Sequence, residues 1–199
     1  MNSYTVFDFE TTGLSPQRDR IIQVGICVVE NGGVAHKEGW LVNQPVPISA
    51  EAERIHGITQ GVIEAHGIPP EESLPRLLAH LEKAHLCVGH NIHRFDVPFL
   101  EAEARRLKLR IPFVADYVDT AALYKGWKLG VSRGASESHQ DYARRVLSMR
   151  VRGLKFAIPV CLHQLGIADD HVVAHEAESD AYSTHLIYQR LLTVLGGRI

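Results

Sequence analysis

The chain has 199 residues, 45% of them hydrophobic, which suits one domain with a sizeable core. Its 21 basic and 23 acidic residues give a formal charge of -2, which excludes a protein held to nucleic acid by bulk positive charge but not one that grips a substrate through metal ions and a local groove. Cys27, Cys87 and Cys161 sit in apolar stretches without CxxC spacing and read as reduced, buried thiols, as expected of a cytoplasmic protein. The sequence shows neither a signal peptide nor a membrane-spanning run.

Tyr4 to Phe9 reads as a strand and Ile21 to Glu30 as a second. Asn31-Gly32-Gly33 is a turn signal that lets Val34 to Val42 return as a third strand, so the chain opens as an antiparallel meander. In Pro70 to Ala84, Leu74, Leu77, Leu78 and Leu81 recur at helical spacing. Leu86 to Gly89 has the short apolar character of a buried strand, and Phe95 to Leu107 reads as a helix. Phe113 to Asp116 is a further strand candidate and Asp119 to Tyr124 a short helix. Helices over Phe156 to Leu165 and Ala177 to Leu195 complete the series, with Gly196-Gly197 closing the last. A meander followed by alternating helices and strands predicts an α/β or α+β layer structure with a mixed central sheet flanked by helices.

Lys125 to Lys155 stands apart. It carries eight basic residues against two acidic ones, Glu137 and Asp141, and its first half is rich in Gly and Ser. It reads as a basic insertion at about 125–155, or a mobile flap, in an otherwise single domain spanning 1–199, with a helix over Gln140 to Met149.

The chemistry begins in Val6-Phe7-Asp8-Phe9-Glu10-Thr11-Thr12-Gly13. Side chains alternate along a strand, so Asp8 and Glu10 share one face while Phe7 and Phe9 face the core on the other. Two carboxylates roughly 7 Å apart on one face repel unless a cation sits between them. Hard oxygen donors of this kind suit Mg²⁺ or Mn²⁺. An edge strand with two acids in water is the bland alternative, and two later segments weigh against it. In Val88 to Leu100, Asp96 falls in the first turn of a helix that follows a buried strand, where ligands gather in α/β sheets and where an acid also complements the helix dipole. In Val173 to Ala181, Asp180 lies one turn inside a helix, and His175 precedes it on a loop suited to moving a proton. His171 and His175 are four apart, but neither a following Glu nor a third zinc ligand supports a zinc site.

These segments resemble the three motifs of the DEDDh exonuclease family, the class of the DNA polymerase III epsilon-subunit proofreading exonuclease, ribonuclease T and oligoribonuclease. The matching residues are Asp8 to Gly13, Gly89 to Asp96 and His175 to Ala181, in the family's order and spacing, over roughly residues 4 to 195. Ile55-His56-Gly57-Ile58-Thr59 is similar to the family's substrate-side segment. The resemblance implies a ribonuclease H-like fold and a metal-dependent 3′–5′ exonuclease releasing nucleoside 5′-monophosphates, with single-stranded DNA the expected substrate. It implies Asp8, Glu10, Asp96 and Asp180 as ligands to two Mg²⁺ or Mn²⁺ ions, Asp8 bridging them, and His175 as general base. Thr11, Gly13, Leu14, Glu51, His56 and Phe95 are the implied substrate contacts, with Glu51 and His56 also readable as an exposed helix turn and Leu14 and Phe95 as core. The family passes quickly from the Asp119-Thr120 helix to Leu165-Gly166-Ile167, so the basic segment is a departure that bears on specificity. It could contact phosphates through Arg144, Arg145, Arg150 and Arg152, or be a solvated loop or a helix packing on a partner.

Two alternatives stand beside this reading: an RNA-trimming 3′–5′ exoribonuclease, and a non-catalytic nucleic-acid-binding module that keeps the fold. All five residues being present argues against the second. The expected partner is nucleic acid with a free 3′ end, not a membrane. The chain ends soon after the last helix, so a stand-alone enzyme is expected in preference to a polymerase subunit held by a tail.

Overall fold

The computed structural model describes residues 3–112, 116–168 and 175–197. Five strands form one mixed sheet in the order β3-β2-β1-β4-β5. β1 (Tyr4–Thr11), β2 (Ile21–Glu30) and β3 (Gly33–Leu41) are the antiparallel meander, and β4 (Cys87–Gly89) and β5 (Tyr117–Asp119) run parallel to β1. The strand candidate at 113–116 is only partly described. Positions 113–115 lie outside the described residues, Asp116 is not in a strand, and pairing with β4 begins at Tyr117.

Strand alternation sorts the core into two layers. Phe7 and Phe9 turn to the face covered by α3 (Pro70–Lys83) and α4 (Asp96–Arg106), where they meet Leu77, Leu81 and Phe99. Tyr4 and Val6 turn to the opposite face, covered by α5 (Thr120–Leu129), α6 (His139–Ser148), α7 (Ile158–Gln164) and α8 (Ala177–Val194). Asp8 and Glu10 follow the parity of Val6 and face the α8 side. The three cysteines are free and buried, and burial pushes each thiol up to about 12, so they serve as packing groups. Among the described residues no helix is long and apolar enough to cross a membrane.

Of two short helices, α1 (Ala50–His56) reads in the sequence only as an exposed helix turn about Glu51 and His56, and α2 (Gln60–His66) is not expected. α1 buries no residue, so apolar periodicity carries no trace of it. Its ends carry the signal instead: Ser49 accepts from the Ala52 N–H, and Gly57 closes it in the left-handed conformation at φ 71°.

The basic segment is packed, not a flap. α5 runs on to Leu129, and α6 buries Tyr142, Ala143, Val146 and Leu147 in the same core as Val6. Lys125 is only 4% exposed, and its ammonium donates to the carbonyls of Leu147 (3.1 Å) and Met149 (2.5 Å), closing the end of α6.

Candidate active site

β1 ends in a bulge. Glu10 pairs with Gln23 but Thr11 pairs with Ile21, so the ladder skips a residue directly after the second carboxylate. A bulge bends the strand and re-aims its side chains. The turn beyond it is held by Asp19, which accepts from the Ser15 N–H (2.7 Å) and the Thr12 hydroxyl (3.3 Å) and sits 2.7 Å from where a Cβ on Gly13 would lie.

Asp96 arrives from the sheet's other side. It opens α4, is 2% exposed, and accepts from the Phe9 N–H at 3.2 Å, which fixes it between Asp8 and Glu10 along the strand. The turn before it is strained: Asn91 has φ 60°, and its N–H donates to Asp119 Oδ1 at 3.0 Å. Asp119 also caps α5 through the Ala121 and Ala122 N–H groups, so one carboxylate oxygen ties the two loops together.

α8 supplies the third wall. Its N-cap, Glu176, accepts from the Ser179 N–H, and Asp180 sits in the first turn, 9% exposed. The helix start lies hard against β2. A Cβ on Gly25 would fall 2.0 Å from the carbonyl carbon of Ala177, so only glycine permits this approach, and Gly25 is the register partner of Asp8. Gln23 Oε1 accepts from the Ala177 N–H (3.0 Å), and Lys37 pairs with Glu178 (3.3 Å), pinning the helix start to the sheet. His175, exposed and at φ 62°, immediately precedes this start, and its N–H donates to Asp180 Oδ2 at 3.2 Å.

Negative charge is therefore concentrated in a low-dielectric corner. Burial, then Asp96, Asp180, Glu10 and Glu176, push the Asp8 carboxyl well above the ordinary range. Burial, then Asp180 and Glu176, push Glu10 up to about 8. Burial also raises Asp96 strongly, outweighing the hydrogen bonds from its own and the Phe9 N–H, and brings Asp180 up to about 6 against the opposing pull of His175. The charges acting most strongly on Asp8 and Glu10 are all negative, so the corner is short of positive charge. Glu10, Asp180 and His175 each offer a ligand atom within 4.8 Å of the others. Oxygen donors at this density fit divalent cations.

Beside the carboxylates is an open cleft of about 390 Å³. Thr11, Gly13, Leu14, Glu51, His56 and Phe95, all expected near substrate, line it together with Glu10. Thr11 is buried, its hydroxyl donating to the Gly13 carbonyl (2.6 Å). Leu14 stands 78% exposed at the rim. Ile55, 47% exposed, lines the cleft as well, as do Asp19 and Ser49, which went unnoticed in the sequence. Of the His171/His175 pair, His171 lies outside the described residues.

Fold and site define the class: a ribonuclease H-like domain with a carboxylate-rich site where β1 and β4 end. The chain belongs to the exonuclease family, whose RNase T model matches residues 5–188, a family dependent on divalent metals. A DNA polymerase III subunit epsilon-like protein of Rhodobacter capsulatus is 30% identical over 201 residues, covering 98% of this chain and 24% of that protein. The 3′-5′ exonuclease DinG of Bacillus subtilis is 29% identical over 193 residues, covering 96% of this chain and 18% of that protein. The chain thus spans under a quarter of the length of these curated relatives. Among solved structures, the zinc-bound E. coli ExoI–ssDNA complex matches with a TM-score of 0.78 at 19% identity, covering 98% of this chain and 41% of that one, a likeness of fold.

Proposed function

We propose that the chain is a metal-dependent 3′–5′ exonuclease that removes nucleoside 5′-monophosphates from single-stranded DNA. The observation that carries this is the convergence of Asp8, Glu10, Asp96 and Asp180, from one strand and two helix starts, beside an exposed imidazole and an open cleft. Two Mg²⁺ or Mn²⁺ ions, when bound, supply the positive charge that water activation and departure of the 3′ oxygen require. Asp8, on which Asp96, Asp180 and Glu10 all act, would hold such ions together with those three acids. His175, neutral, accepts the proton of the attacking water, and the loop that carries it is anchored through its own N–H to Asp180. The cleft walls hold the terminal nucleotide, with Phe95 and the exposed Leu14 and Ile55 offering apolar surface to the base and His56 and Glu51 polar groups to the sugar. Single-stranded DNA is favoured over RNA because the relatives sharing nearly the whole chain are named for DNA polymerase and 3′-5′ exonuclease roles, and the matched ExoI structures hold single-stranded DNA.

The test uses 5′-labelled DNA and RNA of equal sequence with Mg²⁺. A ladder shortening one nucleotide at a time, faster on DNA, is the expected result. Internal cuts, or no shortening of either strand, would refute the proposal.

A further inference from the structure

Of the four arginines singled out in the basic segment, two are already occupied. Arg144 pairs with Asp141 (2.8 Å), and Arg145 grips Glu137 through two nitrogens (each 2.7 Å). The cations left over are elsewhere. Arg150, Arg152 and Lys155 are exposed on the loop after α6, and Arg94 is exposed on the turn before α4. Among the described residues none of these four has a carboxylate partner.

Both ends of that loop are tied to the catalytic side of the fold. At its entry, the buried Lys125 ammonium holds the carbonyls of Leu147 and Met149, and Arg94 lies near enough to help press the Lys125 pKa down after burial itself. At its exit, the Phe156 carbonyl accepts from His90 Nε2 at 2.6 Å. His90 is the residue before Asn91, in the turn that delivers Asp96, and its Nδ1 bonds the Thr120 hydroxyl at the start of α5 (2.9 Å). Gly153, at φ 81°, supplies the left-handed turn that folds the loop back between these anchors. Val151, 41% exposed, gives it one apolar side chain among the cations.

We propose that Arg150, Arg152 and Lys155, with Arg94, form a phosphate-binding lane that carries the single strand upstream of the cleaved nucleotide. The proposal rests on the exonuclease reading of the adjacent site. An anchored row of unpaired cations beside an otherwise acidic site is what a polyanion needs to approach a chain of net charge -2. Arginine adds a planar fork that can take two phosphate oxygens at once. The lane also gives the basic segment a role that leaves the metal chemistry untouched.

Fluorescence anisotropy in EDTA, with single-stranded oligonucleotides of increasing length, reads the lane without catalysis. The triple variant Arg150→Gln/Arg152→Gln/Lys155→Gln is compared with wild type and with Arg144→Gln, which removes a charge already paired. Each single-strand phosphate contact adds about 0.7 to the slope of log affinity against log salt, so the triple variant should lose about 2 from that slope. Its affinity loss should grow with oligonucleotide length, while Arg144→Gln keeps the wild-type slope. An unchanged slope and length dependence in the triple variant would overturn the lane. So would an equal loss in Arg144→Gln, since charge anywhere on the segment would then suffice. Absence of Mg²⁺-dependent hydrolysis together with the expected binding loss would instead count against the exonuclease reading and leave the lane standing.

Discussion

Replacing Gly25 by Ala places a methyl group where the start of α8 now sits. The new Cβ would lie 2.0 Å from the carbonyl carbon, 2.1 Å from the carbonyl oxygen of Ala177 and 2.3 Å from the Glu178 nitrogen, all backbone atoms. Real Cβ contacts essentially never fall below 3.0 Å, so helix and strand must part by about 1 Å. That retreat carries Asp180 and the His175 turn away from Asp8, whose register partner is Gly25 itself. A displacement of about 1 Å in a catalytic constellation costs on the order of 10²-fold in rate. Overpacking of this kind destabilises by about 1–3 kcal/mol. For a domain of this size each kcal/mol lowers the Tm by about 2–4 °C. The assay pairs thermal unfolding with Mg²⁺-dependent release of mononucleotide from a 3′-labelled strand, at a temperature where the variant is folded. Gly33→Ala is the control, since a Cβ there meets nothing closer than 3.9 Å. If Gly25→Ala hydrolysed DNA as fast as Gly33→Ala, the close docking of α8 on β2 would not be what sets the site.

Other outcomes follow from the same geometry. His175→Ala should cost on the order of 10²–10⁴ in rate while keeping metal affinity, measured by titration calorimetry; lost affinity would make His175 a ligand in place of a base. The raised carboxyls fix the sign of a pH effect. Folded Asp180 (about 6) and Glu10 (about 8) hold protons that the unfolded chain releases near pH 4, so the metal-free fold should lose stability as pH rises from about 4 to 8. Differential scanning fluorimetry should show that fall diminished in Glu10→Gln and reversed by Mg²⁺, whose stabilising effect should be larger at pH 8 than at pH 5; a steeper fall in Glu10→Gln would contradict the assignment. Lys125→Met leaves the carbonyls of Leu147 and Met149 without their donor and should cost about 1–3 kcal/mol, read as a lower Tm and as faster hydrogen exchange over 147–155.

The sheet was legible because period-two alternation around Asp8 and the Asn31-Gly32-Gly33 turn are local signals, and β2 falls where alternation placed it. Asp8, Glu10, Asp96, Asp180 and His175 stood out as candidates through ordered motifs, and with Glu176 capping α8 Asp180 falls in that helix's first turn and His175 just before it. What escaped was set by tertiary contact. Gly25 and Gln23 look like ordinary strand residues until α8 lies on them. The first half of the basic segment reads as a loop because its glycines and serines dominate locally and only its second half reads as a helix, whereas the segment's place in the core depends on Lys125 and Tyr142 finding partners along the chain, such as the Val131 carbonyl that accepts from the Tyr142 hydroxyl. Ion pairing of Arg144 and Arg145 likewise has no signature in composition, so the free cations could be separated from the occupied ones only in three dimensions.

The central claim is that Asp8 anchors a metal-dependent site acting on 3′ ends. Wild type and Asp8→Ala are each incubated with 3′-labelled single-stranded DNA, with Mg²⁺ and with EDTA. Wild type with Mg²⁺ should release labelled mononucleotide as its first product, and EDTA or Asp8→Ala should abolish that release. Full release by Asp8→Ala, or release by wild type in EDTA, would contradict it.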